Sequence, residues 1–367
     1  MTLYPASIPS MAPGCVQLMG QLSKGTGNTI NLVDGDINIG GHGLGFKLEA
    51  ATNWDPLASG NNDGSFSSLS LGDDIYIYAT QRVSGIDKGI AKPVASKNST
   101  YPTGYTASNS RKFGGFHYGR VRKTSSHGAP VNAGGEAYGV GWEGEVSLGI
   151  LPNSVWDLLN RPTCDPTGMA KVGYLWVDIY QASAAVAVAV SNGKLAAGRV
   201  QSKYGQVPLT GTEGLHSYLF GELAIRSGKR KLTYDEWCMA AEGSPEGLDG
   251  SNANAWTKTA NTGRTATGSV DRAVSAHGIV DCVGNVWEWT SSQVIRADGI
   301  DGWAWRDVEP DAGTGQHYMQ SPRQLTTIIA GGLWDDGDYA GARMAALPYY
   351  PWYVNSTFGC RLACDSL

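Results

Sequence analysis

The chain has little charge, few cysteines and histidines, and no long apolar run, and each shortage removes a class of protein. Charged residues make up 17% of the 367, below the usual quarter. Net charge is −5 and no long basic run occurs, so a nucleic-acid partner has no electrostatic footprint to use. The longest low-polarity stretch, Ala182 to Val190, is far short of a membrane span, and no membrane insertion is expected. Met1 to Gly14 carries neither a basic n-region nor a long apolar core, so no signal peptide is expected there. Six cysteines, at 15, 164, 238, 282, 360 and 364, do not make a disulfide scaffold in a chain this long. They form no C-x-x-C pair. The six histidines, at 42, 117, 127, 216, 277 and 317, are scattered without an H-x-x-x-H pair. A zinc site is not expected, and the cysteines read as buried or partly buried free thiols.

Glycine is abundant instead: 50 residues, roughly twice average usage, with no collagen-like period. That points to many tight turns between short strands. The length suits two or three domains, and 41% apolar residues suffice for real cores. Residues 1–148 read as a β-rich N-terminal region in one or two pieces. Asn28–Leu32, Asp36–Ile39 and Asp74–Ala79 alternate polar and apolar, and turn clusters such as Gly60–Gly64 and Pro102–Gly104 separate them. Thr124–Gly135 has the composition of an exposed loop.

Residues 149–367 change character. Val172–Tyr180 reads as one buried strand. Ser217–Arg226 has apolar residues at helical spacing, with Gly228 as a C-cap. Thr233-Tyr-Asp-Glu236 is a capping box opening a short helix to about Glu242. A strand is also expected around Phe358–Ala363. Two helices followed by a Gly- and Trp-rich, loop-rich region make an α+β domain behind an all-β region.

Four signatures then occur in order: Gly228-Lys-Arg-Lys-Leu-Thr-Tyr-Asp-Glu-Trp237, Gly284-Asn-Val-Trp-Glu-Trp-Thr290, Gly331-Gly-Leu-Trp334 and Phe358-Gly-Cys-Arg361. The tryptophans would fill a core that has little regular structure. Arg361 could pair with a buried carboxylate such as Glu288, and the glycines allow close backbone passage. Together the four resemble the formylglycine-generating-enzyme branch of the C-type lectin fold. A wider resemblance, over roughly residues 100–367, is to the variable proteins of diversity-generating retroelements, the phage tropism-determinant kind. It rests on Pro102-Thr-Gly-Tyr105, Arg111-Lys-Phe-Gly-Gly-Phe-His-Tyr118, Trp156–Pro162, Asp165–Met169 and Trp176–Tyr180. Gly331–Asp365 matches in spacing without a gap, including Gly341, Arg343, Gly359, Arg361 and Cys364-Asp365.

That resemblance implies a C-type-lectin-fold ligand-binding domain with a variable segment at about 331–365, rewritten by adenine-directed reverse transcription. AAC or AAT codons so rewritten cannot encode Trp, Met, Gln, Glu or Lys, and Leu333–Thr357 contains no Gln, Glu or Lys. The implied ligand-contacting residues are Leu333, Asp335, Asp336, Asp338, Tyr339, Ala346, Pro348, Tyr349, Tyr350, Tyr353, Asn355 and Thr357. Tyrosine offers large amphipathic contact area at low entropic cost. Trp287, Trp289, Trp334, Arg343, Gly359 and Arg361 read as fixed scaffold, as do Met344 and Trp352. The implied partner is a protein or surface receptor of unknown identity, the implied setting a virion tail or cell surface, and a homotrimer is compatible with tail-associated relatives.

Two other functions compete. Asp335-Asp-Gly-Asp338 could hold a structural calcium or magnesium ion, and Glu309-Pro310-Asp311 superficially echoes the sugar motif of calcium-dependent lectins. A formylglycine-generating oxidase needs two copper-binding cysteines, but those positions here are Asp336 and Gly341, so no enzymatic activity and no cofactor are expected.

Overall fold

Short strands and glycine turns dominate the chain, as the glycine content predicts. The computed structural model describes residues 16–40, 45–81, 89–122, 146–245, 247, 256–257, 261–295, 304–307, 316–319 and 325–367. They fall into two units. The first holds the described residues up to 119, residues 148–161 and Leu367; the second holds 120–122, 146–147 and 162–366. Residues 149–161, which the sequence suggests belong with the C-terminal domain, are part of the first unit. The reason is pairing: the strands they form join the sheet of the N-terminal region.

The first unit contains β1 (Val16–Leu18), β2 (Ser23–Lys24), β3 (Ile30–Leu32), β4 (Gly35–Asn38), β5 (Gly45–Leu48), β6 (Ala51–Trp54), β7 (Asp73–Gln81), β8 (Ala91–Ser96), β9 (Ser110–Arg122), β10 (Val146–Ile150) and β11 (Trp156–Asp157). Three sheets result, in the orders β1-β4-β5, β2-β3-β6 and β10-β9-β7-β8, with β11 on β9. The alternation in β7 puts Ile75 and Ile77 into a core with Ile30, Ile37, Phe113 and Phe116. Its opposite face is buried too. There the Tyr78 hydroxyl donates to Asn98 O at 2.6 Å, and Lys112 lies 4.6 Å over the Tyr76 ring. The double glycine in β9 has a steric cause. A Cβ on Gly115 would sit 2.7 Å from both Ile75 O and Trp156 Nε1, so only glycine lets Trp156 cross the strand.

The second unit contains β12 (Met169–Val172), β13 (Leu175–Asp178), β14 (Ala182–Ser191), β15 (Lys194–Ser202), α1 (Ser217–Arg226), β16 (Arg230–Lys231), α2 (Tyr234–Ala241), β17 (Trp287–Ile295), β18 (Ala304–Asp307), β19 (Gln316–Met319), β20 (Leu325–Ala330), β21 (Ala345–Ala346), β22 (Phe358–Gly359) and β23 (Leu362–Asp365). Its sheets run β12-β13-β23-β16, β14-β15 and β18-β19-β21-β20-β17-β22. Both helices start and stop where their caps dictate. Gly228, at φ +70°, ends α1, and Lys229 N–H returns to Ala224 O at 2.8 Å. At α2, Glu236 N–H donates to Thr233 Oγ1 at 3.2 Å while Thr233 N–H donates to Glu236 Oε2 at 2.8 Å. Two expected strands are divided. Val172–Tyr180 is not one strand but a hairpin arm pair, because Gly173 at φ +59° turns the chain and leaves Tyr174 65% exposed. Phe358–Ala363 splits between β22 and β23, which lie in different sheets.

Candidate functional site

The four sequence signatures meet at one buried ion pair. Arg361 and Glu288 are each 1% exposed. Arg361 Nη2 lies 2.8 Å from Glu288 Oε1 and Nε lies 3.1 Å from Oε2. The remaining guanidinium hydrogens go to carbonyls: Nη1 to Asp178 O at 2.9 Å and Ile179 O at 2.7 Å, Nη2 to Val280 O at 2.6 Å. All five donors of the fork are thereby used. Burial opposes the charge on Arg361, yet Glu288 outweighs it and holds the group protonated. Glu288 also accepts from Trp237 Nε1 at 2.7 Å and Gln181 Nε2 at 3.0 Å. The third signature packs against the same centre. A Cβ on Gly331 would lie 2.2 Å from Cys282 O and 2.9 Å from the Trp237 ring.

From this centre the chain leaves β20 through Gly331 and Gly332, at φ +92° and +83°, and returns at β22. Between them, residues 333–357 have almost no regular structure, only a 3-10 turn at Gly337–Tyr339 and the two-residue β21. Main-chain hydrogen bonds pin the segment to the scaffold. Gly331 N–H donates to Met344 O, Thr327 N–H to Tyr349 O, Ser217 N–H to Pro351 O and Gly211 N–H to Asn355 O, while Trp287 N–H donates to Thr357 O, all at 2.9–3.0 Å. These bonds involve no side chain of the segment, so they hold its path wherever its side chains are not themselves engaged.

The side chains so released form an aromatic and acidic surface. Tyr339, Tyr350 and Tyr353 are 43%, 38% and 37% exposed. Asp338 is exposed, and Asp335, Pro348 and Tyr349 are half-buried. Tyr339 stacks on Trp305 at 4.9 Å, Tyr349 on Tyr353 at 5.0 Å and Tyr350 on Trp352 at 5.5 Å. Several expected contact residues are engaged elsewhere. Ala346 is buried, because β21 pairs it with Ile329 and Tyr318, so it does not belong to the surface. Leu333 leans on the core. Asp336 accepts from Leu333 N–H at 2.7 Å, and burial pushes its carboxyl up to about 7. Asn355 closes a turn by accepting from Thr357 N–H and hydroxyl at 2.9 Å each.

The scaffold expectations also divide. Trp287, Trp289, Gly359 and Arg361 are buried. Arg343 is exposed, and the Tyr234 hydroxyl donates to its carbonyl at 2.6 Å, which ties the position to α2 through the backbone. Trp334 is only half-buried and lines an open cavity of about 450 Å³ with Trp256, Asn261, Asp281 and Asn285. Trp352, which reads in sequence as scaffold, is 56% exposed. An aromatic at that position could have been flagged by its neighbours, since Pro351 and Tyr353 flank it in a stretch of no periodicity. Glu309–Asp311 lies outside the described residues, and among those described no group of three His, Cys, Asp or Glu side chains is placed to share a metal ion.

The fold and this frame define the class: a strand-rich, two-unit protein whose C-terminal part is similar in fold to a sulfatase-modifying-factor domain. The model of the "Sulfatase-modifying factor enzyme 1-like domain" matches residues 220–365, and that of the "Mtd second domain" matches residues 21–143. More particularly, the chain is similar to the phage major tropism determinant along nearly its whole length. The tail fiber receptor-binding protein of Bordetella phage BPP-1 is 29% identical over 310 residues, 82% of this chain and 73% of that protein. The solved U1 variant of the Major Tropism Determinant superposes with a TM-score of 0.63 at 22% identity, over 99% of this chain and 85% of its own. The M1 variant does so at 0.65 and 21%, over 97% and 86%. The sulfatase-modifying-factor match is one of fold.

Proposed function

We propose that this chain is a receptor-binding protein of a virion tail, diversified by a retroelement, which recognises its target through the side chains of residues 333–357. The carrying observation is the pinning of that segment by main-chain bonds while Asp338, Tyr339, Tyr350 and Tyr353 project from it. Such a frame holds position while its chemistry changes, which is what diversification without misfolding requires. The relative from Bordetella phage BPP-1 bears the name of a tail fiber receptor-binding protein, which supports the same reading. The target is a protein or other surface receptor, and contact with it is non-enzymatic. Tyrosines stacked in pairs are rigid amphipathic anchors of the kind that dominate binding energy.

The test is sequencing. A near-copy of the DNA encoding residues 331–365 should lie close to the gene, with adenines at the codons of the exposed residues. Populations should then differ at those codons and not at Trp334, Met344 or Trp352. Substitutions spread evenly over the segment, including codons for Gly331, Gly359 and Arg361, would overturn the proposal.

A further inference from the structure

The cavity that Trp334 lines lies at the start of the displayed segment, yet it is built almost wholly from other residues. Its volume of about 450 Å³ falls within the roughly 300–1,000 Å³ of small-molecule sites. Residues between Trp256 and Asn285 supply the rest of the lining, and Trp334 is its one member from 333–357. Trp334 is half-buried. Trp256 is buried, with the Arg272 guanidinium 5.4 Å over its ring, which fixes that indole as a rigid wall. The remaining lining is largely polar: Thr262, Thr265 and Ser269 bring exposed hydroxyls, and Asp281 brings a carboxylate. Asp281 is 4% exposed. Its Oδ2 accepts from Gly268 N–H at 2.6 Å, while no hydrogen bond from the described residues reaches Oδ1.

The walls are preorganised. Asp281 and Asn285 hold positive φ, +58° and +64°, a conformation that persists only where the surroundings enforce it. Asn285 Nδ2 donates to Gln181 Oε1 at 2.8 Å, and Gln181 in turn donates to Glu288 of the buried ion pair. The cavity is also bonded to the segment through main-chain carbonyls. Asn261 Nδ2 donates to Trp334 O at 2.7 Å, Thr257 Oγ1 to Gly337 O at 2.5 Å, and Gly247 N–H to Ala340 O at 2.8 Å. Adenine-directed rewriting of AAC or AAT codons does not yield tryptophan, so Trp334 stays constant while its neighbours change. A purely apolar ligand would leave the Asp281 carboxylate desolvated without a partner, and an anionic one would meet it as a like charge. A neutral pyranose ring matches both halves of the lining: its C–H face stacks on an indole, and its hydroxyls serve the polar groups.

We propose that this cavity binds one ring of a neutral saccharide, as a constant subsite beside the variable surface. Trp334 stacks on the ring, Asp281 Oδ1 accepts from a ring hydroxyl, and Thr262 and Ser269 meet the hydroxyls nearer solvent. A fixed sugar contact gives every variant the same weak foothold on a glycan-bearing surface, and the displayed side chains then discriminate between targets. Its role as a subsite rests on the display reading; the binding of sugar in the cavity does not.

The experiment uses the full chain and the methyl glycosides of glucose, galactose, mannose and N-acetylglucosamine, titrated by saturation-transfer NMR and tryptophan fluorescence. A ring of about twelve heavy atoms at ordinary ligand efficiency gives a Kd on the order of 1–10 mM for at least one of them. Trp334→Leu should weaken that binding by roughly tenfold or more, and Trp334→Phe should restore part of it, because a ring face returns. Thr262→Arg keeps the test decisive if Trp334→Leu fails to fold. Its position is exposed, so melting should hold, while the new guanidinium pairs with Asp281, fills the cavity and abolishes binding. Tyr350→Ser with Tyr353→Ser should leave sugar affinity unchanged. No binding by any of the four glycosides, binding by choline alone, affinity indifferent to Thr262→Arg, or loss of affinity in the tyrosine pair would each overturn the proposal. Codons of 333–357 that do not vary would end the display reading and leave the sugar result standing.

Discussion

Replacing Arg361 by methionine removes one half of the buried pair while keeping an unbranched side chain of similar length. Glu288 then remains 1% exposed, with Trp237 Nε1 and Gln181 Nε2 as its remaining side-chain donors. Leaving a buried charge without its partner costs about 3–5 kcal/mol. The carbonyls of Asp178, Ile179 and Val280 also lose their guanidinium donors. An unsatisfied buried acceptor costs roughly 1–3 kcal/mol, though relaxation recovers some of it. A total of about 5 kcal/mol is comparable to the stability of many whole domains. The second unit should therefore be largely unfolded in the variant or unfold at much lower urea. Lysine should not rescue, since its ammonium cannot reproduce the five-donor fork. The double variant Arg361→Met, Glu288→Leu should be less damaged than the two single costs summed, by at least about 2 kcal/mol. The assay is urea unfolding read by hydrogen exchange on peptides from β12–β13 and β22–β23, which reports the second unit alone. A single-variant cost below about 1 kcal/mol, or strict additivity in the cycle, would refute the reasoning.

Gly331→Ala places a methyl 2.2 Å from Cys282 O at φ +92°, and should cost about 2–4 kcal/mol in urea unfolding of the second unit. Serine at Tyr339, Tyr350 and Tyr353 together should shift melting little, each position moving stability by less than about 0.5 kcal/mol, whereas Ala346→Asp should unfold the domain. A large loss from the tyrosines would make them core residues and end the display reading. Asp336→Asn keeps the acceptor for Leu333 N–H and removes a charge that burial disfavours. The folded carboxyl titrates near 7 against 3.8 when unfolded, so the wild type is most favoured below about pH 4 and loses stability as pH rises towards 7. The asparagine variant lacks that slope. It should match the wild type near pH 4 and exceed it by on the order of 1–3 kcal/mol at pH 8, and equal melting differences at both values would refute the assignment.

What the sequence discloses of this fold is what is decided locally or by strict necessity. The Thr233–Glu236 capping box needs only four consecutive residues, and it forms as read. Arg361 in an apolar stretch must find a carboxylate, and Glu288 is the one available between two tryptophans. What stays hidden depends on distant pairing. Ala346 looks like one more loop residue, and only its place beside Ile329 and Tyr318 buries it. Gly173 interrupts an apolar run that periodicity joins into one strand, because a turn between two buried strands leaves no polar signal there. Trp352 reads as core because tryptophan usually is, yet the backbone bond from Ser217 to Pro351 carries it outward.

The divide between legible and illegible follows the function proposed for the segment. Where packing dictates a residue, its identity reports its surroundings, as at Gly331, Glu288 and Arg361. Where main-chain bonds hold the chain and the side chain reaches solvent, as at Tyr350, the fold places little demand on the side chain. A residue free of structural demand carries no structural message, so composition cannot sort the half-buried Tyr349 from the exposed Tyr350 beside it. That same freedom lets a surface change its chemistry while the melting temperature holds. Silence in the pattern between Leu333 and Thr357, set against the fixed signatures on both sides, is therefore itself the expected mark of a segment selected for what it touches outside the molecule.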